Sequence, residues 1–246
     1  MDNASYIALS RLAAQQRAMD VTAGNIANAN TSGYKSERVL FTDWLSRQPA
    51  TDAPKGEKTI AFTQDRATYR NTQEGSLTHT GNPLDLAISG DGFFTVSTPG
   101  GPRLTRAGRF ELMPNGTIAD PNGNSLLDTN GRPLQLSPAD TQITVAGDGT
   151  LSTENGQIGK IGVVQPSDPM RLQAEGGQLF RLDSTTAPVA SPKLVQGALE
   201  ESNVQPVLEV TRMMNDLREF QFVSQFIQGE ADRHQSAIDK ILQART

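Results

Sequence analysis

Apolar residues recur at helical spacing at both ends of the chain. Between Val207 and Leu242, taking every third and fourth residue in turn gives a mostly apolar row over more than four heptads. Its members are Val210, Met213, Leu217, Phe220, Ser224, Ile227, Ala231, His234, Ile238 and Ile241. At about 1.5 Å per residue, a helix over this segment would be roughly 54 Å long, which exceeds a compact domain of this size. The spacing therefore predicts a long helix with partners outside its own domain.

A second helix is predicted from Asn3 to Ala29. Its row follows a 3,4,3,4,3 spacing and contains Leu9, Leu12, Gln16, Met19, Ala23 and Ile26. We expect the two termini to be two helices of one bundle. Because helix formation needs packing to offset its nucleation cost, we also expect contacts with other copies or other chains. The residues expected at that subunit interface are Leu9, Leu12, Met19, Ile26, Val210, Met213, Leu217, Phe220, Ile227, Ile238 and Ile241.

Several residues indicate where the two predicted helices begin and end. Asp2 or Asn3 could cap the first helix, which ends in a run containing Asn28, Asn30 and Gly33, residues that tolerate left-handed backbone. An ordinary helix end explains the glycine but not three asparagines in a short run. Ser202 or Asn203 could cap the second helix, with Pro206 in its first turn.

The middle of the chain has a β pattern. Six Asx-Gly pairs, which favour tight hairpin turns, punctuate it at residues 91–92, 115–116, 122–123, 130–131, 148–149 and 155–156. Short strands are predicted at 84–89, 93–98, 108–112, 125–128, 142–147 and 160–165. Strands and turns at this pitch predict an antiparallel sheet folded on itself.

These patterns predict an α+β fold. Its long N- and C-terminal helices form a coiled-coil-like bundle domain, and an antiparallel all-β domain is inserted between them. The expected division is 1–35 for the N-terminal helix, 75–200 for the β-rich outer domain and 201–246 for the C-terminal helix. Residues 36–74 are expected to be a connector with short strands or a hairpin and at least one mobile loop.

Composition narrows the function classes. The net charge is −5 without any basic run, which argues against nucleic-acid binding. The 246 residues include no cysteine, which excludes disulfides and thiolate metal sites. The N-terminus lacks the apolar core of a cleaved secretion signal, and no stretch approaches 18 apolar residues. We expect a protein without a membrane span that is cytoplasmic or leaves the cell by another route.

Three segments resemble the axial proteins of the bacterial flagellum. Residues 3–35, ending ANANTSGYK, are similar to the N-terminal segment that rod, hook and hook-associated proteins share. Residues 80–96 and 103–128 resemble the central region of the rod and hook members, and residues 199–221 resemble their C-terminal segment. The chain is identified as a member of the flagellar basal-body rod protein family. It looks most like the proximal-rod members, with the distal-rod members as the alternative.

The resemblance implies where in the flagellum the chain is located, which proteins it contacts and which residues belong to the family motif. Members place paired terminal helices in the inner layer of a helical tube, beside copies of themselves and neighbouring rod proteins. They pass through the flagellar type III export apparatus without signal cleavage and reach the rod that crosses the periplasm. The family-motif positions are Asn25, Asn28, Asn30, Thr31, Gly33, Tyr34, Gly81, Asn82, Pro83, Gly90, Asp91, Gly92, Phe93, Phe94, Ser202 and Asn203. Gly24 departs from the asparagine usual in the family.

An enzyme acting on peptidoglycan is the alternative of a different class. Such chemistry needs two carboxylates across a cleft, and Asp85, Asp91 and Glu111 lie near predicted strands. An ordinary role as solvent-exposed acids or as turn residues explains these three carboxylates better than catalysis does. His79 and His234 are too distant in sequence to suggest a local metal motif, and no cofactor is expected. An adhesive β-domain would leave the terminal helices unexplained.

Overall fold

The computed structural model describes residues 3–48, 58–137, 140–176, 178–182 and 185–243. Within them, helix α1 (Asn3–Ala27) and helix α2 (Pro206–Gln243) lie at the two ends of the chain, with the strands between them. Strands β1 (Glu37–Gln48) and β2 (Lys58–Arg70) form a two-stranded sheet of their own. The fold is therefore α+β, with two terminal helices and a β-rich middle.

Sixteen further strands and one short 3-10 helix (Pro169–Arg171) follow β2 in the described residues. The strands are β3 (Leu77–His79), β4 (Leu86–Ile88), β5 (Phe93–Thr98), β6 (Gly101–Thr105), β7 (Glu111–Leu112), β8 (Ile118–Ala119), β9 (Ser125–Leu126), β10 (Ile143–Val145), β11 (Thr150–Thr153), β12 (Gly156–Lys160), β13 (Val163–Pro166), β14 (Leu172–Glu175), β15 (Leu179–Leu182), β16 (Thr186–Pro188), β17 (Leu194–Gln196) and β18 (Ala198–Glu200).

The largest sheet contains nine strands. Seven lie in the order β14-β15-β6-β5-β9-β8-β7, while β13 pairs with both β5 and β16. Smaller sheets join β10-β11-β12, β17 with β4, and β18 with β3. From β3 onward the pairings are antiparallel, as the sequence predicted.

The chain divides into two compact units. The helical unit contains residues 1–26, 37–68 and 206–246, and the β-rich unit contains residues 27–36 and 69–205. The core of the β-rich unit is apolar and includes Phe94 and Phe110, whose rings meet edge to face at 5.5 Å. In β5, the buried Phe94 and Val96 alternate with the more exposed Thr95 and Ser97, which places one face of the strand in the core.

The positions of the turns were predicted more accurately than the bounds of the strands. The glycine of every Asx-Gly pair has a positive φ, and five of the six pairs connect strands or bridged residues that pair with each other, which confirms those hairpin turns. The hairpin predicted at 91–92 is wrong, because the flanking strands β4 and β5 lie in different sheets. Strand β5 matches its predicted bounds, but the segment predicted as a strand at 160–165 is split at Gly162. A Cβ atom at Gly162 would lie 2.6 Å from the Asp128 carbonyl oxygen, so the backbone approaches too closely there for another residue.

Residues 36–74 were expected to form short strands or a hairpin, and the pairing of the long strands β1 and β2 favours the hairpin. Strands β1 and β2 are 12 and 13 residues long, the longest of the described strands. The branched, aromatic and threonine content of both segments favours extended backbone, although their alternation is weak. The predicted mobile loop falls mainly in residues 49–57, which lie outside the described residues.

Helices α1 and α2 run antiparallel within the helical unit. Asn25 near the end of α1 donates a hydrogen bond to Glu209 near the start of α2, and Gln15 donates to Glu219 further along. Helix α2 has 38 residues and α1 has 25, so the last part of α2 extends beyond the start of α1. Residues 231–240 are all exposed. No described helix is both long enough and apolar enough to cross a membrane.

The predicted caps of the second helix are wrong. Asn203 accepts from the Ser36 backbone N–H at 2.8 Å and donates to the Asn71 and Gln73 carbonyls. The Ser202 hydroxyl accepts from the Val204 backbone N–H, before the helix begins. The Asn203 side chain therefore connects three segments of the β-rich unit. Pro206 is the first residue of α2, where its missing N–H costs little. The predicted capping residues of α1 lie at positions whose side chains are not described.

Candidate assembly site

Helix α2 exposes large apolar side chains along its length. The most exposed are Val207 at 78% and Phe222 at 72%. The others are Leu208, Val210, Met214, Leu217, Phe226, Ile238 and Leu242. We call these nine residues the α2 outer face. Exposed apolar surface on this scale is typical of a surface that binds another macromolecule.

An apolar groove lies beside the outer face, between the two helices. Ile7, Ala8 and Arg11 of α1 and Phe222, Val223 and Phe226 of α2 line a cavity of about 310 Å³. The Arg11 guanidinium and the Gln15 amide both donate to the Glu219 carboxylate, at 3.2 and 3.0 Å. The groove therefore has apolar walls and a polar rim, a combination common at interfaces.

The inner face of α2, which lies towards α1, is offset from the predicted row. Most of its less exposed residues are spaced 4,3,4,3,4,3, namely Glu209, Met213, Asp216, Phe220, Val223, Ile227 and Glu230, and Ser224 of the predicted row is also partly buried. Met213, Phe220 and Ile227 belong to both rows. Val210 and Leu217 are exposed instead, while Ile238 is exposed because α2 extends beyond α1 there. A one-residue shift in a helix rotates a side chain by about 100°, which moves a row from one face to another.

The predicted interface residues of α1 also divide between two environments. Leu9 is exposed, whereas Leu12, Met19 and Ile26 are half-buried. The side chain of Ile241 lies outside the described residues. Their role in contacts between subunits stays a prediction.

Asn25 joins α1 to the start of β1. Its side-chain amide donates to the Glu37 carbonyl oxygen at 2.9 Å, and its side-chain oxygen accepts from the Glu37 N–H at 2.8 Å. The buried Glu209 carboxylate accepts from Asn25 and from both terminal nitrogens of Arg38. Burial raises the pKa of Glu209, but the Arg38 hydrogen bonds and charge outweigh it and leave that pKa lowered. The charged Glu209 of α2 therefore binds both α1, through Asn25, and β1, through Arg38.

A buried group of charges lies in the β-rich unit. Lys35 Nζ and Glu200 Oε1 are 2.6 Å apart, and Arg106 Nε lies 2.6 Å from Glu200 Oε2. All three side chains are almost completely buried. We call Lys35, Arg106 and Glu200 the ionic cluster. Burial is the largest influence on Lys35 and lowers its pKa, although Glu200 opposes this shift.

The ionic cluster gathers family-motif residues from distant segments. Arg106 donates to the Gly92 carbonyl at 2.6 Å and to the Gly90 carbonyl, while the Gly33 N–H donates to the Glu200 carbonyl at 2.7 Å. Sequence reasoning singled out the glycines but missed all three charged residues. Only the position of Lys35 beside a motif glycine and tyrosine could have suggested its importance.

The other motif residues have local structural roles. Asn82 donates to Asp85 at 3.1 Å and the Pro83 carbonyl accepts from Gln196, which fixes the loop before β4. Asn28 accepts from the Thr31 hydroxyl, and the Tyr34 N–H donates to the Thr31 carbonyl. Phe93 and Phe94 are buried, Gly81 has a positive φ, and Asp91 is exposed.

Two glycines near the N-terminal turn should respond oppositely to alanine. Gly33 has a φ of +74°, and an added Cβ would lie 2.5 Å from the Ala107 nitrogen. We expect Gly33→Ala to destabilise the β-rich unit by at least ~1–3 kcal/mol, because it adds strain and a clash. At Gly24 within α1, an added Cβ meets nothing within 4 Å, so Gly24→Ala should stabilise its unit by ~0.5–1 kcal/mol. Urea unfolding checks both; equal midpoints for the two variants would contradict this account.

The residues considered for catalysis do not form a paired carboxylate site. Asp85 is buried, and its two oxygens accept from the Thr80 hydroxyl and the Asn82 amide in its own loop. Asp91 and Glu111 are exposed in turn and strand positions. Across the described ranges, no three His, Asp or Glu side chains are grouped so that they could hold a metal ion.

Comparisons with known proteins match three parts of the chain. Residues 6–35 match the family "Flagella basal body rod protein", residues 87–153 match "Flagellar hook protein FlgE/F/G D1 domain", and residues 195–240 match "Flagellar basal body rod FlgEFG protein C-terminal". The N-terminal match includes Asn25 and Gly33, and the C-terminal match includes Glu200 and most of α2.

Full-length relatives show the same similarity. The chain is 37% identical over 243 residues to the flagellar basal-body rod protein FlgF of Caulobacter vibrioides, covering 98% of each chain. It is 35% identical over 241 residues to FlgF of Mesorhizobium japonicum, covering 97% of each. It is also 35% identical over 247 residues to the rod protein FlgG of Bacillus subtilis, covering 90% of this chain and 92% of that protein.

Proposed function

The chain belongs to the flagellar basal-body rod protein family and is a structural subunit of the rod, and we propose that it occupies the proximal rod and transmits torque from motor to hook. Its FlgF relatives at 30–37% identity cover nearly its whole length. That full-length match is the observation that carries the proposal. FlgG relatives also align, so a distal-rod position is the second candidate.

The exposed helix surface supplies the physical basis for assembly. Family membership implies assembly with other flagellar axial proteins, and these must cover the α2 outer face. Each apolar side chain that they bury contributes on the order of 1.5–3 kcal/mol. We assign the inner layer of a helical tube to residues 1–35 and 201–246 as a coiled-coil-like bundle, and its outer part to residues 75–200. Residues 36–74 connect the two.

The route to the rod follows from family membership. The chain passes through the flagellar type III export apparatus without a cleaved signal and assembles where the rod crosses the periplasm. Contacts between copies are heterologous and do not close, because that symmetry builds a tube instead of a ring. Torque transmission is mechanical, since long helices held side by side resist bending and twisting.

An enzymatic role finds no support in the site. The family is structural, and the carboxylates that peptidoglycan hydrolysis would need are separately engaged or exposed. The α2 outer face, in contrast, has a direct use in assembly.

Deleting the gene in its own bacterium tests this function. We expect non-motile cells with neither distal rod nor hook, since a proximal subunit must be in place first, and full recovery from a plasmid copy. Purified basal bodies from the complemented strain should contain the chain with its N-terminal peptide intact. A deletion strain that makes the proximal rod but neither the distal rod nor the hook would favour the distal position. Intact hook and basal body without the chain would overturn the function.

A further inference from the structure

The last turns of α2 carry an apolar row that stays exposed. Its members are spaced 4,3,4, and we call them the terminal α2 row: Ala231, Gln235, Ile238 and Leu242. Ile238 is 52% exposed and Leu242 is 60% exposed. Ile227 of the inner face and Ile238 are about three helical turns apart, so they lie on the same side of α2. The terminal α2 row therefore continues the face that α1 covers nearer the start of α2, at a level that α1 does not reach.

Helix α1 has an exposed row of similar spacing on a side that its own α2 does not cover. Its members are spaced 3,4,3, and we call them the outer α1 row: Tyr6, Leu9, Ala13 and Gln16. Tyr6 is 52% exposed and Leu9 is 59% exposed. Both rows have their two large apolar residues at the end nearer the chain terminus and small or polar residues at the other end. An antiparallel arrangement of the two rows would therefore bring their large apolar residues together.

The symmetry of a tube permits this arrangement. Copies joined by heterologous contacts along a tube all point the same way. Within each copy α1 runs antiparallel to α2, as the contacts of Asn25 with Glu209 and of Gln15 with Glu219 require. The end of α2 in one copy is therefore also antiparallel to α1 of another copy. Ile238 would then meet Leu9 of that copy.

Charged residues beside the two rows are complementary. At about 100° per residue, Asp232 and Asp239 flank the terminal α2 row on one side, whereas Arg233 and Lys240 lie on the opposite side of the helix. Arg17 is exposed and flanks the outer α1 row. In the antiparallel arrangement Asp232 and Arg17 lie at the same level and on the same side of the helix pair. Opposite charges placed in this way favour one register over others.

The pairing cannot form within one copy. Gln15 contacts Glu219, so Leu9 lies level with the part of α2 near Gln225. Ile238 lies about thirteen residues, or roughly 20 Å, further along the helix. Only a second copy displaced by this distance can bring the two rows together.

We propose that the terminal α2 row packs antiparallel on the outer α1 row of a second copy, displaced by roughly 20 Å along the rod. The proposal rests on the rod function, because that function supplies copies with the same orientation. It names the surface that covers Ile238 and Leu242. It also gives α1 two partners, the α2 helix of its own copy and the α2 helix of another.

Site-directed disulfides test the contact, because the chain has no cysteine of its own. Basal bodies are purified from a strain whose only copy carries Leu9→Cys with Ile238→Cys, and they are oxidised by oxygen with a copper catalyst. A disulfide needs Cα atoms within about 7 Å, so we expect a crosslinked species of twice the chain's mass on a non-reducing gel. Leu9→Cys with Ala231→Cys is the matched control, on the same row but about 10 Å out of register. It should give at least about tenfold less of that species.

Charge reversal gives a second measurement that needs no cysteine. Arg17→Glu places two acids at the same level, so it should lower the amount of chain in purified basal bodies by at least about threefold. Adding Asp232→Arg restores opposite charges and should recover the amount found with the unsubstituted chain.

Three outcomes would overturn the contact: equal crosslinking of the two cysteine pairs, a disulfide between positions 9 and 238 of a single chain, or no recovery when Asp232→Arg is added. Unsubstituted chain absent from basal bodies would contradict the rod function itself. Cysteine-substituted chain that enters basal bodies but forms no crosslinked species would contradict only this contact.

Discussion

Replacing Phe222 and Phe226 by aspartate should abolish incorporation of the chain into the rod while both of its units stay folded. Phe222 is 72% exposed and Phe226 is 42% exposed, so both residues offer apolar area to a partner. Each ring that packs against a neighbouring subunit would contribute on the order of 1.5–3 kcal/mol to the free energy of association. An aspartate in its place loses this contribution, and its carboxylate must also be desolvated in the interface. This loss of association free energy is repeated for every copy of the chain that enters the rod. Motility on soft agar and subunit content of purified basal bodies measure the effect.

Gln221→Asp combined with Gln225→Asp is the matched control, because it adds the same two charges at exposed polar positions, each one residue before one of the phenylalanines. It should incorporate normally. Circular dichroism of the purified phenylalanine double variant should show an unchanged helix and sheet content. Leu217→Asp, at another exposed position, tests whether the outer face is used on its other side. Normal motility of the Phe222→Asp, Phe226→Asp variant would contradict the use of this groove as an interface.

Glu200→Gln should unfold or severely destabilise the β-rich unit. The carboxylate is 1% exposed and lies between two buried cations, Lys35 and Arg106. Removing its charge leaves both cations buried without their anion, which costs ~3–5 kcal/mol. Because the whole net stability of a domain is only about 5–15 kcal/mol, this one change removes a large share. Urea unfolding followed by the β-sheet circular dichroism signal measures the loss.

Adding Lys35→Met to Glu200→Gln should recover part of the lost stability, because one of the two uncompensated cations is then gone. Glu111→Gln, at an exposed strand position, should leave the urea midpoint unchanged. If Glu200→Gln and Glu111→Gln unfold at the same urea concentration, the ionic cluster does not hold the unit together.

Features that depend on local sequence could be predicted well. The heptad spacing at 207–242 anticipated α2 to within a residue at each end, and the Asx-Gly pairs located turns because positive φ is a local requirement. Strand β5 was found because its apolar and polar residues alternate at the period of a half-buried strand.

Features that depend on distant segments could not be predicted. Lys35 reads as an ordinary surface lysine until the fold brings Glu200 to within 2.6 Å of it. Asn203 reads as a helix cap until it meets Ser36. Strand β16 consists of one threonine, one alanine and one proline, all exposed, so no alternation marked it. Burial of charge and strand pairing are tertiary properties, and local patterns in one sequence do not specify them.

The unequal lengths of the two helices give the helical unit a direction. At one end of the helical unit, Asn25 near the end of α1 contacts Glu209 near the start of α2, so the two helices end at about the same height. At the other end, α2 extends beyond α1 by about a dozen residues, or roughly 18 Å. A single projecting helix differs from a level pair, so the two ends cannot substitute for one another in a contact between copies. Subunits joined through these ends all point the same way. A stack of copies joined end to end would therefore present a different surface at each of its two ends.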